Sequence, residues 1–119
     1  MPSNKPLVRL RDIVANVRLI DEYMDGLDFA LFKESNLVRD AHQTCLLRIS
    51  EAAAKLGTFA EEQFPGHNWV GIRAVGNILR HEYDNVDAEI IWNIRENSLP
   101  DLLADVEAFL SEQPEIEAD

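Results

Sequence analysis

Five residues suited to phosphate-ester chemistry crowd into one short stretch of the chain: Arg73, Asn77, Arg80, His81 and Asp84. Arg73, Asn77 and His81 follow one another at intervals of four, and Asp84 comes three residues after His81. At about 100° per residue these positions share one stripe of a helix, roughly 100° wide. A guanidinium clamps phosphoryl oxygens in a planar fork, and an imidazole moves protons near neutral pH. The plainer reading of the same pattern is a charged solvent face supported by pairs three and four residues apart.

A helix must hold this stripe, and the apolar residues between supply one. Trp69, Ile72, Val75, Leu79 and Tyr83 recur at helical spacing, the last four on the opposite side, with Asn68 placed to cap the start. Upstream, Leu10, Ile13, Val14, Val17, Ile20 and Met24 predict a first helix, opened by Pro6 and closed by Gly26. Leu27–Glu34 reads as one or two helical turns. Ser35 and Asn36 then introduce a long helix whose apolar line runs Val38, Ala41, Cys45, Ile49, Ala52 and Leu56, up to Gly57. Thr58 to Glu61 has the spacing of a capping box and predicts a short helix ending by Pro65-Gly66. A further helix is expected over Asp87–Glu96, and a last one after Ser98 with Pro100 in its first turn. No stretch alternates with period two. The fold class is all-α, an antiparallel bundle of four to five helices.

The chain has 119 residues, the length of one domain. We assign residues 1–110 to a single helical domain and 111–119 to an acidic tail. Eleven Lys and Arg oppose 22 Asp and Glu, for a net charge of −11. Seven of those acids lie beyond Leu99, where no base occurs, so residues 1–99 carry only −4. Global charge therefore opposes nucleic-acid binding over the whole surface but leaves room for a local anion site. No apolar run reaches about 18 residues, so no membrane span is expected, and the first residues show no secretory signal. Cys45 stands alone in an apolar pattern and reads as core. A cytoplasmic protein is the expectation.

The local sequence sharpens the reading of the stripe. Trp69-Val70-Gly71-Ile72-Arg73, followed by Gly76-Asn77-Ile78-Leu79-Arg80-His81-Glu82-Tyr83-Asp84, resembles the signature helix of the HepT-like family within the HEPN superfamily. That signature is an Arg-Asn pair, two or three residues, then His-x-Tyr. Asp40-Ala41 through Ile49-Ser50-Glu51-Ala52-Ala53 is similar to the family's long second major helix. Glu89-Ile90-Ile91-Trp92, then Leu99-Pro100-Asp101-Leu102-Leu103, looks like its closing helix and Leu-Pro break. The resemblance covers nearly all of residues 7–110.

This resemblance implies an all-α homodimer acting as the toxin of a type VII HepT/MntA toxin–antitoxin system. It implies a metal-independent endoribonuclease with no cofactor, an RNA substrate, and a cleft where two protomers meet. The implied partner is an MntA-type nucleotidyltransferase antitoxin that adenylates the Tyr of the motif. By position, His81 is the catalytic histidine, Asn77 the motif amide and Tyr83 the modified residue. The motif Arg is replaced by Gly76, so Arg80 or Arg73 is expected to stand in as the guanidinium. The alternative is a HEPN-type dimer that has lost cleavage and serves as a binding module or as a substrate of the transferase. His42 and His67 are too isolated in sequence to suggest a metal site. Glu51 reads as a surface acid, and Trp69 and Trp92 as packing residues.

Overall fold

Proline at the first helical position and a left-handed glycine after the last turn mark the first helix as the sequence predicts. In the computed structural model, which describes residues 5–82 and 86–113, α1 spans Pro6–Met24, with Gly26 beyond it at φ 76°. Six more helices follow among the described residues: α2 Phe29–Glu34, α3 Asn36–Leu56, α4 Thr58–Gln63, α5 Trp69–Glu82, α6 Ala88–Asn97 and α7 Leu99–Ser111. None of the described residues forms a strand. The fold is all-α: five longer helices form the bundle, and the six-residue α2 and α4 are its connectors. Tyr83, Asp84 and the tail from residue 114 onward lie outside the described residues.

Caps account for several of the boundaries. The Asp28 carboxylate accepts from the Leu31 N–H at 2.9 Å and the Ser35 hydroxyl from Val38 at 3.1 Å. Asn68 accepts from Gly71 at 2.9 Å and Asp87 from Glu89 at 2.9 Å. Two expected caps are not made. Ser98, between α6 and α7, has αR backbone angles and its side chain caps nothing. The Thr58–Glu61 capping box is absent as well: α4 starts directly after Gly57, and the Glu61 carboxylate is drawn away to Arg73.

α3 occupies the middle of the bundle, packing on α1 along one side and on α5 along another. Leu10, Ile13, Val17 and Ile20 of α1 meet Leu46, Ile49, Ala53 and Leu56 of α3 in the core, joined by Leu102 and Val106 of α7. Each fully buried Leu or Ile contributes on the order of 1.5–3 kcal/mol. Cys45 lies in this core, where burial raises its thiol pKa. Trp69 is buried and donates its indole N–H to the Phe64 carbonyl at 2.9 Å. Trp92 packs its ring 5.6 Å from those of Phe29 and Phe32. Both tryptophans are packing residues. No helix among the described residues is long and apolar enough to cross a membrane.

Candidate functional site

The position of α5 is set by a close approach. Ser50 of α3 donates its hydroxyl to the Arg73 carbonyl at 3.0 Å, and Arg73 Nε donates to the Ala53 carbonyl at 3.2 Å, tying the two helices together here. Gly76 sits against Ser50 at this crossing. A Cβ added there would come within 2.6 Å of Ser50 Cβ and closer still to its hydroxyl. Side-chain volume at position 76 is excluded by the packing of α5 on α3. The glycine that departs from the expected motif is therefore part of the helix interface in this chain.

Arg73 is fully engaged within its own protomer. Nη2 donates to the Gly57 carbonyl at 2.9 Å, while Nη1 and Nη2 together grip both oxygens of Glu61 at 2.7 and 2.8 Å. Ala53 belongs to the last turn of α3, which leaves its carbonyl unpaired, while the Gly57 carbonyl at the cap also receives the Ala60 N–H at 3.2 Å. A guanidinium placed there meets the negative end of α3 and closes a bidentate pair with α4. Hydrogen bonding from Arg73 lowers the pKa of the Glu61 carboxyl, and the same pair raises that of the guanidinium.

The other end of α5 is different. Asn77, Arg80 and His81 are all exposed, and His81 has no hydrogen-bonding partner among the described residues. Asn77 precedes His81 by one turn, about 6 Å along the axis. Arg80 Nη1 lies 3.8 Å from Glu51 of α3, and both side chains are about half exposed, at 45% and 50%. Such a pair contributes little and is readily exchanged for another anion. The structure thus groups Asn77, Arg80 and His81 at the C-terminal end of α5. Arg73 stands about 12 Å back along the axis and faces α4. The described residues end before Tyr83 and Asp84 can be placed.

The remaining histidines stand apart. His67 shares a 2.6 Å hydrogen bond with Asp105 of α7. His42 is completely buried with neither ring nitrogen bonded among the described residues, its ring 5.6 Å from that of Phe32. Burial, helped by the charge of Arg95, lowers its pKa to about 4. Between α5 and α6 lies an apolar groove of about 480 Å³, lined by Leu46, Ile49, Ile72, Ile78, Ile90 and Ile94 among others. Ile78 and Ile90 are part-exposed there, at 43% and 54%.

Sequence reasoning missed what Glu61 and Glu51 do. Glu61 carried the signal of a capping box, and nothing in its spacing pointed to Arg73. Glu51 is an exposed acid as read, yet it is also the group that faces Arg80.

Comparisons with known proteins converge on one family. Residues 10–109 match the family model described as "Ribonuclease HepT-like". Over 98 residues the chain is 28% identical to "Putative RNase MJ1380" of Methanocaldococcus jannaschii, covering 82% of this chain and 90% of that protein. It is 26% identical over 112 residues to "Putative RNase MJ0127" of the same organism, covering 94% and 93% of the two chains. No solved structure matches the chain. With its all-α bundle and a family match running from α1 into α7, the chain belongs to the HepT-like ribonuclease family.

Proposed function

We propose that this chain is an endoribonuclease that cuts RNA without a metal ion, acting as the toxin of a HepT/MntA-type pair. The observation that carries the reading is the exposed imidazole of His81, without a hydrogen-bonding partner among the described residues, with Asn77 one turn before it and Arg80 beside it. In the reaction the ribose 2′-oxygen attacks the adjacent phosphorus and the bond from phosphorus to the 5′-oxygen breaks. The proton of the 2′-hydroxyl is taken up, and a proton is delivered to the departing 5′-oxygen. The products are a 2′,3′-cyclic phosphate and a free 5′-hydroxyl. His81 serves as general acid or base, a role worth roughly 10²–10⁴-fold. Arg80 leaves its loose contact with Glu51 to stabilise charge on the non-bridging oxygens. Asn77 binds at the same centre. Arg73, held by α3 and α4, acts by fixing α5 and is a positioning residue in this scheme.

The site is completed in a homodimer, where the C-terminal ends of two α5 helices approach one cleft. The part-exposed Ile78 and Ile90 at the mouth of the apolar groove support a surface covered by a partner. Control comes from a nucleotidyltransferase of the MntA type. It joins the Tyr83 oxygen to the α-phosphorus of ATP and releases pyrophosphate, blocking the site two residues from His81.

Mass spectrometry of products from a short single-stranded RNA tests the reaction. Cyclic phosphate ends, unaffected by chelator and absent with DNA of the same sequence, are expected; cleavage of the DNA or a requirement for added divalent ion would refute the scheme. Producing the chain alone in bacteria is expected to arrest growth, and His81→Ala to relieve it. A second reading, a non-cleaving binding module, is favoured by Gly76, which leaves the motif's guanidinium position empty. Unimpaired growth with a folded, dimeric chain would select that reading.

A further inference from the structure

A second concentration of positive charge lies between α1 and α3, next to the exposed end of α5. Arg9, Asp12 and Asn16 of α1 face Arg48, Glu51 and Lys55 of α3 across a groove of about 200 Å³. Both helices present polar groups at i, i+3 and i+7, the spacing that aligns them on one face. Three cations and two acids give the lining a net positive charge in a chain of −11. Arg48 and Lys55 are exposed and neither has a carboxylate partner among the described residues. Arg9 meets Asp12 only at 3.6 Å.

Two unmet hydrogen-bonding atoms mark the groove as built for a polar guest. Asn16 is 7% exposed and gives its amide N–H to the Asp12 carbonyl at 2.8 Å, while its Oδ1 has no donor. Arg9 Nε is likewise buried, and neither atom finds a partner among the described residues. Buried polar atoms are nearly always paired, so an acceptor for one and a donor for the other are missing. A ribose phosphate supplies both: phosphate oxygen for the guanidinium and sugar hydroxyl for the amide. Glu51 links this groove to the α5 site, because it lines the groove and also faces Arg80 at 3.8 Å.

We propose that the α1–α3 groove is a binding subsite for the backbone of single-stranded RNA, holding phosphate between Arg9, Arg48 and Lys55 beside the α5 site. The subsite rests on the ribonuclease reading for its substrate, and binding tests it independently of cleavage. Arg48 and Lys55 stand about 10 Å apart along α3, so they meet successive parts of one strand.

A fluorescently labelled single-stranded RNA is titrated by anisotropy in the His81→Ala background, so that the probe stays whole. Replacing Arg48 and Lys55 together by Ala is expected to raise Kd about tenfold and to flatten the slope of log K against log salt by about 1.4. Replacing Arg11 and Lys33, two other exposed cations outside the groove lining, is expected to leave Kd within about twofold. DNA of the same sequence lacks the hydroxyl for Asn16 and is expected to bind several-fold more weakly. Absence of RNA binding, indifference to the Arg48/Lys55 change, equal weakening by the Arg11/Lys33 change, or equal affinity for DNA would each overturn the proposal. Binding that depends on Arg48 and Lys55 in a chain that cleaves no RNA would support the subsite and remove only the nuclease reading.

Discussion

Arg73 and Arg80 lie two turns apart on one polar stripe of α5, yet their surroundings give them opposite fates. Arg73 is only 26% exposed and is bound by two backbone carbonyls and both oxygens of Glu61. Arg80 is 45% exposed and meets one carboxylate at 3.8 Å. The first guanidinium is consumed in joining α5 to the end of α3 and to α4; the second is available to a ligand. The two histidines repeat the contrast. His42 is buried beside the Phe32 ring with both nitrogens unbonded among the described residues, whereas His81 is exposed. Residue type alone does not identify a site; what the neighbouring helices leave unsatisfied does.

The strongest way to break this comparison is at the exposed end. His81→Ala is expected to lower the RNA cleavage rate by about 10²–10⁴-fold without changing the melting temperature. Arg80→Ala is expected to cost about 10²–10³-fold, again with the fold intact, as loss of a charge-stabilising donor does. Retained cleavage in both variants would leave the two ends of α5 functionally alike.

The buried histidine predicts a pH effect on stability in place of one on chemistry. The folded pKa of His42, about 4, lies below its unfolded value of 6.5. Between these values the unfolded chain binds the extra proton, so stability is full above about pH 6.5 and falls as pH drops toward 4. The total change is on the order of 3 kcal/mol. Thermal melts of wild type and His42→Phe across this window check it: the variant is expected to lose most of the slope, and parallel curves would contradict the assignment.

At the consumed end, Arg73→Ala is expected to destabilise the fold by about 1–3 kcal/mol, because the Ala53 carbonyl and Glu61 lose their donor and Gly57 loses one of two. Denaturant titration measures this. Cleavage per folded molecule is expected to stay within a few-fold of wild type. Gly76→Ala is expected to cost about 1–3 kcal/mol through its clash with Ser50, and Ser50→Gly in the same chain to recover part of it. Smallest of all, Glu51→Gln is expected to shift stability by less than about 1 kcal/mol, since it breaks only an exposed pair.

The helices were legible because apolar residues at a 3.6 period, bounded by Pro6, Gly26, Gly57 and Pro100, state both face and ends locally. The family signature was legible for the same reason: Asn77, His81 and Tyr83 are close in sequence. Arg73 was not. Its stripe position is shared with His81, and its partners Ala53, Gly57 and Glu61 come from other helices that spacing cannot place beside it. Gly76 reads in sequence as a missing guanidinium, while in the fold it is the point where α5 touches Ser50. The α1–α3 groove was hidden similarly, since Arg9 and Arg48 lie on helices far apart in the chain and meet only through packing.

The most direct test is the cleavage rate of one labelled single-stranded RNA by wild type, Arg73→Ala and Arg80→Ala, each corrected for its folded fraction. The account predicts near wild-type turnover for Arg73→Ala and a loss of at least about a hundredfold for Arg80→Ala. The reverse order, or equal losses, would contradict it.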